Sequence, residues 1–194
     1  MKAFLKKPYE RTYLSNEEGF KYLRDAMYEI EERFETDPNA EEEYLDAFNE
    51  IREYARIGSI FAQDYLGYAF KKGTTNLVPE NYELSMKWFF LAGSNGNEQS
   101  ILRLKLFFAR SYDDIFAMDN VAEVLAKKDI YQENFEVELG KLFCDAMVDA
   151  LGLTAEGLFN EKISFLPSNL ELANKYEKIR SSCIDRVKEY LLKE

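Results

Sequence analysis

Histidine is absent from the 194-residue chain. That removes the side chain most used for proton transfer near neutral pH and the commonest metal ligand. His-dependent triads and His-containing zinc sites are excluded, and neither a metal nor a cofactor is expected. Cysteine is scarce: Cys144 and Cys183 each lie inside an amphipathic segment and read as small buried apolar residues of a reducing compartment. Nine Gly and four Pro are too few for a loop-rich or disordered chain, and 46% hydrophobic residues are enough to bury a core. Long apolar runs are also missing. The longest uncharged run, Trp88 to Asn97, is about half a membrane span and contains two glycines. No apolar run of signal-peptide length follows the opening MKAFLKKPYE. A cytoplasmic protein with no membrane segment is expected.

Positive charge is in deficit, with 25 basic against 36 acidic residues and a formal net charge of −11. That field opposes tracking along a phosphate backbone, so no nucleic-acid partner is expected. The deficit is local: residues 15–53 hold 14 acidic and 4 basic residues, nearly the whole net charge. An acidic face of this kind steers a basic protein partner and repels an acidic one. Glu29, Glu32, Glu42, Glu43 and Glu50 are the candidate partner-binding residues. The alternative is a solvated helix face kept soluble by its glutamates.

Motifs that carry catalysis are missing from the sequence. There is no phosphate-binding glycine loop, no CxxC, no HExxH and no Gly-x-Ser-x-Gly elbow. The carboxylates Glu41, Glu42 and Glu43 sit in a polar helical run where solvation leaves them ordinary. Asp113 and Asp114 stand where a helix begins, a position the helix dipole explains without an ion. Cys144 lacks a basic partner to activate it, and Asp145 beside it opposes ionisation. The chain is not expected to be an enzyme.

Periodicity is helical almost throughout. Phe20, Leu23, Met27, Ile30 and Phe34 recur at spacings of three and four, behind a capping box of Ser15 and Glu18. Asp37-Pro38 predicts the opening of a second helix with Leu45, Phe48, Ile51 and Ala55 on its apolar face. Further helices are predicted over 59–72, 81–93, 97–110, 113–127, 134–151 and 168–192, the last opened by Ser168 and Glu171. Sustained alternation at hairpin spacing is absent. The expected fold is all-α.

A 38-residue shift of the chain against itself aligns Gly58 with Gly96, Ala62 with Ser100, Leu66 with Leu104, Phe70 with Phe108 and Ala47 with Ser85. A fainter third copy places Leu142 on Leu104 and Ala146 on Phe108. A helix pair of this length cannot bury its apolar face alone, and stacked neighbours make a continuous core. Small residues such as Gly67 mark close helix contacts. The stretch Ala62 to Gly73, followed by Val78 to Asn97, resembles a Sel-one-like repeat, a relative of the tetratricopeptide repeat. Ala62, Leu66, Gly67, Phe70 and Gly73 match its first helix; Tyr82, Ser85, Lys87, Trp88, Phe89, Ala92 and Gly96 match its second. The family usually has alanine at the place of Ser85 and tyrosine at that of Phe89.

The resemblance implies an α/α solenoid of about eight antiparallel helices in a single domain over 1–194. Its parts are an acidic helix pair (15–57), a repeat core (58–151), and a loop with a C-terminal capping helix (152–194). It also implies a protein-interaction adaptor or regulator with no shared catalytic residues, binding through a concave or acidic face. An immunity protein or antitoxin that neutralises a basic toxin enzyme is the alternative, on the strength of the acidic segment. The last helix carries Leu172, Tyr176, Ile179, Cys183, Val187 and Tyr190 on one stripe. That stripe fits a cap on a monomer and also a dimer contact.

Overall fold

The computed structural model describes residues 16–73, 77–105, 110, 132–160 and 169–193. These residues form helices and no strand: α1 (Asn16–Glu31), α2 (Ala40–Arg56), α3 (Ile60–Lys72), α4 (Tyr82–Ser94), α5 (Glu98–Arg103), α6 (Gln132–Leu151), α7 (Ala155–Asn160) and α8 (Asn169–Lys193). The class is all-α. The helix predicted over 113–127 lies outside the described residues, as do Ser15, Phe108, Asp113, Asp114 and Ser168.

In α1 the stripe Phe20, Leu23, Met27 and Ile30 is buried as its spacing requires. Phe34 falls beyond the end of this helix and packs edge-on against Tyr44, with ring centroids 5.4 Å apart. Asp37 Oδ1 accepts from the Asn39 N–H at 3.0 Å and Asp37 O from the Ala40 N–H at 3.1 Å, so Asp37-Pro38 caps a tight first turn that leads into the regular helix at Ala40. One expectation for α2 is corrected. Leu45 is not on the apolar face, being 37% exposed. The buried face is Ala40, Tyr44, Ala47, Phe48, Ile51 and Ala55. Leu45 stands about 100° around the helix from Tyr44, which turns it to water.

The turn joining α2 to α3 recurs between α4 and α5, bond for bond and 38 residues on. Gly58 and Gly96 both hold positive φ, at 104° and 93°. The Ser59 N–H donates to Tyr54 O and the Asn97 N–H to Ala92 O, each at 2.9 Å. Ser59 and Asn97 then cap the following helices, their side chains accepting from the Ala62 and Ser100 N–H groups at 3.2 and 2.8 Å. A substituted Cβ at either glycine meets no clash, so it is the left-handed backbone that selects glycine there.

Packing follows chain order at first. Helix α1 lies on α2 and also on α3, α2 lies on α3, and α3 lies on α4. Helix α4 then contacts α5 and α6, and α6 contacts α8. Burial wraps α4 nearly all round, because it is the wall shared by two apolar clusters. Trp88 and Leu91 join the cluster built from α1 to α4, while Phe89 and Phe90 join one built from α4, α5, α6 and α8. The uncharged run beginning at Trp88 is thus the central helix and its exit turn.

Helices α3 and α4 meet at Gly67. A Cβ there would lie 2.5 Å from Phe89 Cδ1, and the Ser85 hydroxyl donates to Gly67 O at 2.6 Å. Alanine at position 85 would forgo that bond.

The segment after α6 is not all loop. Gly152 turns the chain at φ 62°, and the Thr154 hydroxyl caps a short helix by accepting from the Gly157 N–H at 2.9 Å. That helix, α7, folds back on α2 and α4, and it buries Leu158 in the first cluster. Helix α8 buries Cys183, Ile184 and Val187 against the second cluster. The side chains of Leu172, Tyr176 and Tyr190 lie outside the described residues.

Candidate docking surface

The five candidate glutamates do not form one free patch. Glu29, Glu32 and Glu42 are exposed. Glu43 is half-buried and its Oε2 is 2.5 Å from Arg33 Nη2, while Arg33 Nη1 reaches Asp37 at 2.8 Å. One guanidinium thereby ties the end of α1 to the start of α2. Contact with Glu43 first, and then its charge and that of Asp37, raises the pKa of Arg33. Glu50 is half-buried, with Oε2 closed off from solvent. Three of the five therefore remain available to a partner.

A second carboxylate is taken up by the fold. Glu17 on α1 accepts from the Ser59 hydroxyl at 2.9 Å and from the Ile60 N–H at 3.1 Å. It sits on the N-terminus of α3, where the helix dipole and the unpaired N–H groups favour an anion. Asp64 on α3 accepts from the Ser100 hydroxyl at 2.6 Å and pairs with Arg103, both on α5. Gln63 is fully buried: its Nε2 donates to Ala55 O at 3.1 Å, and its Oε1 accepts from Asn95 at 3.0 Å. These bonds set α1, α3 and α5 side by side.

On the surface made by these three helices, exposed aromatic side chains stand on α1 and α3, with Leu102 and Arg103 of α5 beside them. Helix α3 turns Phe61, Tyr68 and Lys72 outward at spacings of seven and four, beside the buried stripe of Ala62, Leu66, Ala69 and Phe70, while Tyr65 packs back against Phe20 of α1 with ring centroids 5.8 Å apart. Phe61 and Tyr28 of α1 are each 56% exposed, far beyond what core packing uses, and Leu102 of α5 is also exposed. Tyr65 is half-buried between them, its hydroxyl 3.7 Å from Met27 Sδ, and burial first of all pushes its phenol far up. Arg103 lies over both Tyr68 and Phe89, 5.7 and 5.6 Å from the ring centroids. Lys72 lies 5.1 Å from the Tyr68 centroid. Its pKa is raised by the Tyr68 hydroxyl first and, more weakly, by Tyr28. Cations held over aromatic faces in this way are attracted by the ring quadrupole.

In the sequence this face is overshadowed by the packing stripe of α3, whose residues match the repeat pattern. The signal was present as a second, aromatic stripe rotated from the first.

Little here offers covalent chemistry. Among the described residues no three His, Cys, Asp or Glu side chains converge to hold a metal ion. Cys144 is buried, and desolvation, followed by Asp145, pushes its thiol far up. Burial likewise raises Cys183 to about 11. A thiol so held is a poor nucleophile. No described helix is long and apolar enough to cross a membrane. An apolar notch of about 120 Å³ lies between α6 and α8, lined by Leu142, Asp145, Ala146, Arg186 and Val187. It is smaller than the pockets of about 300 Å³ and upward that enclose small-molecule ligands.

Comparison with known proteins identifies no relative: no family model, no curated protein and no solved structure matches the chain.

Proposed function

We propose that the protein is a non-enzymatic interaction module, a cytoplasmic α/α solenoid of the Sel-one-like, tetratricopeptide-like type that holds a protein partner. The observation that carries this reading is the set of exposed aromatics on α1 and α3, with Tyr28 and Phe61 each 56% and Tyr68 38% exposed. Several exposed aromatics on neighbouring helices, with cations beside them, favour a docking site over the scattered exposure that is ordinary on a protein surface. The solenoid reading draws support from the turn that repeats 38 residues on and from the contacts of α1, α2 and α3. In stacked helix pairs such contacts generate an extended surface along the first helices of successive pairs.

The test is site-specific photocrosslinking in the native cell, with a benzophenone side chain at position 61 and, separately, at position 42. A discrete protein adduct from position 61, lost on Tyr68→Ala, is the expected result. Adducts from position 42 alone, or from neither, would overturn it.

A second reading has its own observation. Glu29, Glu32 and Glu42 stay exposed in the acidic helix pair, which suits neutralisation of a basic toxin enzyme by fast, salt-sensitive association. The adduct from position 42 alone is the result this reading expects, with a basic protein as its partner.

A further inference from the structure

Lys72 is exposed at the last turn of α3, in a chain that carries 36 acidic residues. Among the described residues no carboxylate lies within ion-pair distance of it. Its ammonium instead rests against Tyr68, with Tyr28 next nearest in influence. The partial negative charge at the end of α3 accounts for a cation at this position, but not for the phenols around it. Arg103 shares the Tyr68 ring, and its charge is offset by Asp64. Among the described residues Lys72 is therefore a cation held by the phenols of Tyr68 and, more weakly, Tyr28 rather than by a carboxylate.

We propose that the α1–α3–α5 face binds an acidic segment of a partner protein, a carboxylate meeting the Lys72 ammonium while apolar side chains of the same segment lie on Tyr28 and Tyr68 and, further along α3, on Phe61. This rests on the docking reading above and adds the chemistry of the partner. Charge complementarity selects the occupant. A basic segment would bring a cation against Lys72 and Arg103, whereas an acidic one supplies a counter-ion to Lys72 and leaves the aromatic area for apolar burial. Glu29 and Glu32 stand beside Tyr28 at the end of α1, so their field opposes an acidic segment along α1 and confines its carboxylate to the Lys72 side of the face. Attraction at Lys72 and repulsion from the helix pair are both screened by salt, so the affinity of the acidic segment depends weakly on ionic strength. A basic peptide on the helix pair would instead lose affinity steeply as salt rises.

The experiment is selection of a displayed random twelve-residue peptide library on the immobilised full chain. Binding of the enriched peptides is then measured by fluorescence anisotropy against wild type, Lys72→Glu, Tyr68→Ala and Glu42→Lys. The expected result is enrichment of Asp or Glu beside Leu, Ile or Phe. Affinity should fall about tenfold on Lys72→Glu, where an attraction becomes a repulsion, and stay within about twofold on Glu42→Lys. Enriched peptides that depend on Tyr68 but not on Lys72 would overturn the acidic partner while leaving the docking face standing. Basic peptides lost on Glu42→Lys, or no enrichment at all, would overturn both. Circular dichroism of each variant, with an unchanged helical signal, ties a loss of affinity to the surface and not to unfolding.

Discussion

Replacing Gly67 by leucine tests the close contact between α3 and α4. A Cβ at this position would lie 2.5 Å from Phe89 Cδ1 and 2.6 Å from Cε1, well inside any real carbon–carbon contact. Phe89 is 3% exposed and belongs to the second apolar cluster, so its ring has little room to withdraw. Leucine adds three further carbons, which puts the overpacking cost near the upper end of about 1–3 kcal/mol. Removing a glycine from a helix interior returns roughly 1 kcal/mol. The net expectation is a loss of about 2 kcal/mol. For a chain of this size that corresponds to a fall in Tm of about 4–8 °C by differential scanning calorimetry. The control is a double-mutant cycle with Phe89→Ala. That change alone costs about 3–5 kcal/mol through the cavity it leaves. In the double variant the leucine enters the vacated space, so the combined loss should be smaller than the sum by at least 1 kcal/mol. Additive losses, or a Gly67→Leu variant as stable as wild type, would refute the placement of Gly67 against Phe89.

Glu17→Ala should lower stability by about 1 kcal/mol in urea titrations, because two donors at the start of α3 lose their acceptor. With Ser59→Ala as second variant the losses should be less than additive, and full additivity would count against the shared cap. Leu158→Ala should cost about 2–5 kcal/mol and expose residues 152–160 to limited proteolysis, since Leu158 is the buried anchor of α7. An unchanged cleavage pattern would remove α7 from the core. Cys183 gives a pH prediction: burial, with a smaller contribution from Asp149, raises its thiol from 9.0 to about 11 against the lowering effect of Arg186. A raised acid pKa means the folded state keeps a proton that the unfolded state has released. Its stabilising contribution is therefore complete below pH 9 and is lost as pH climbs towards 11. The stability gap between wild type and Cys183→Ala should narrow over that window, and a constant gap would show the thiol to be unburied.

The helix stripes were legible because a 3.6-residue period needs only local sequence to betray which face is dry. Phe20, Leu23, Met27 and Ile30 read correctly for that reason, as did the paired turns at Gly58 and Gly96, where backbone conformation selects the residue directly. Leu45 was misplaced because one residue of rotation separates a buried position from an exposed one. Only the partner helices decide where that boundary falls.

For the docking surface the limit was different in kind. The charge surplus of residues 15–53 is a property of composition, and so is the absence of histidine. Whether a given glutamate remains free is settled by what folding brings beside it. Arg33 reaches Glu43, and the N-terminus of α3 reaches Glu17, across distances in sequence that no local pattern encodes. The sequence by itself determined the all-helical class, the positions of most helices and the two matching turns, all set by short-range sterics and hydrogen bonding. The tertiary structure alone decided that α4 is the shared wall, that α7 folds back on the core, and that Phe61, Tyr68 and Lys72 face solvent beside Tyr28. Burial is a relation between segments, and it exists only once they have met.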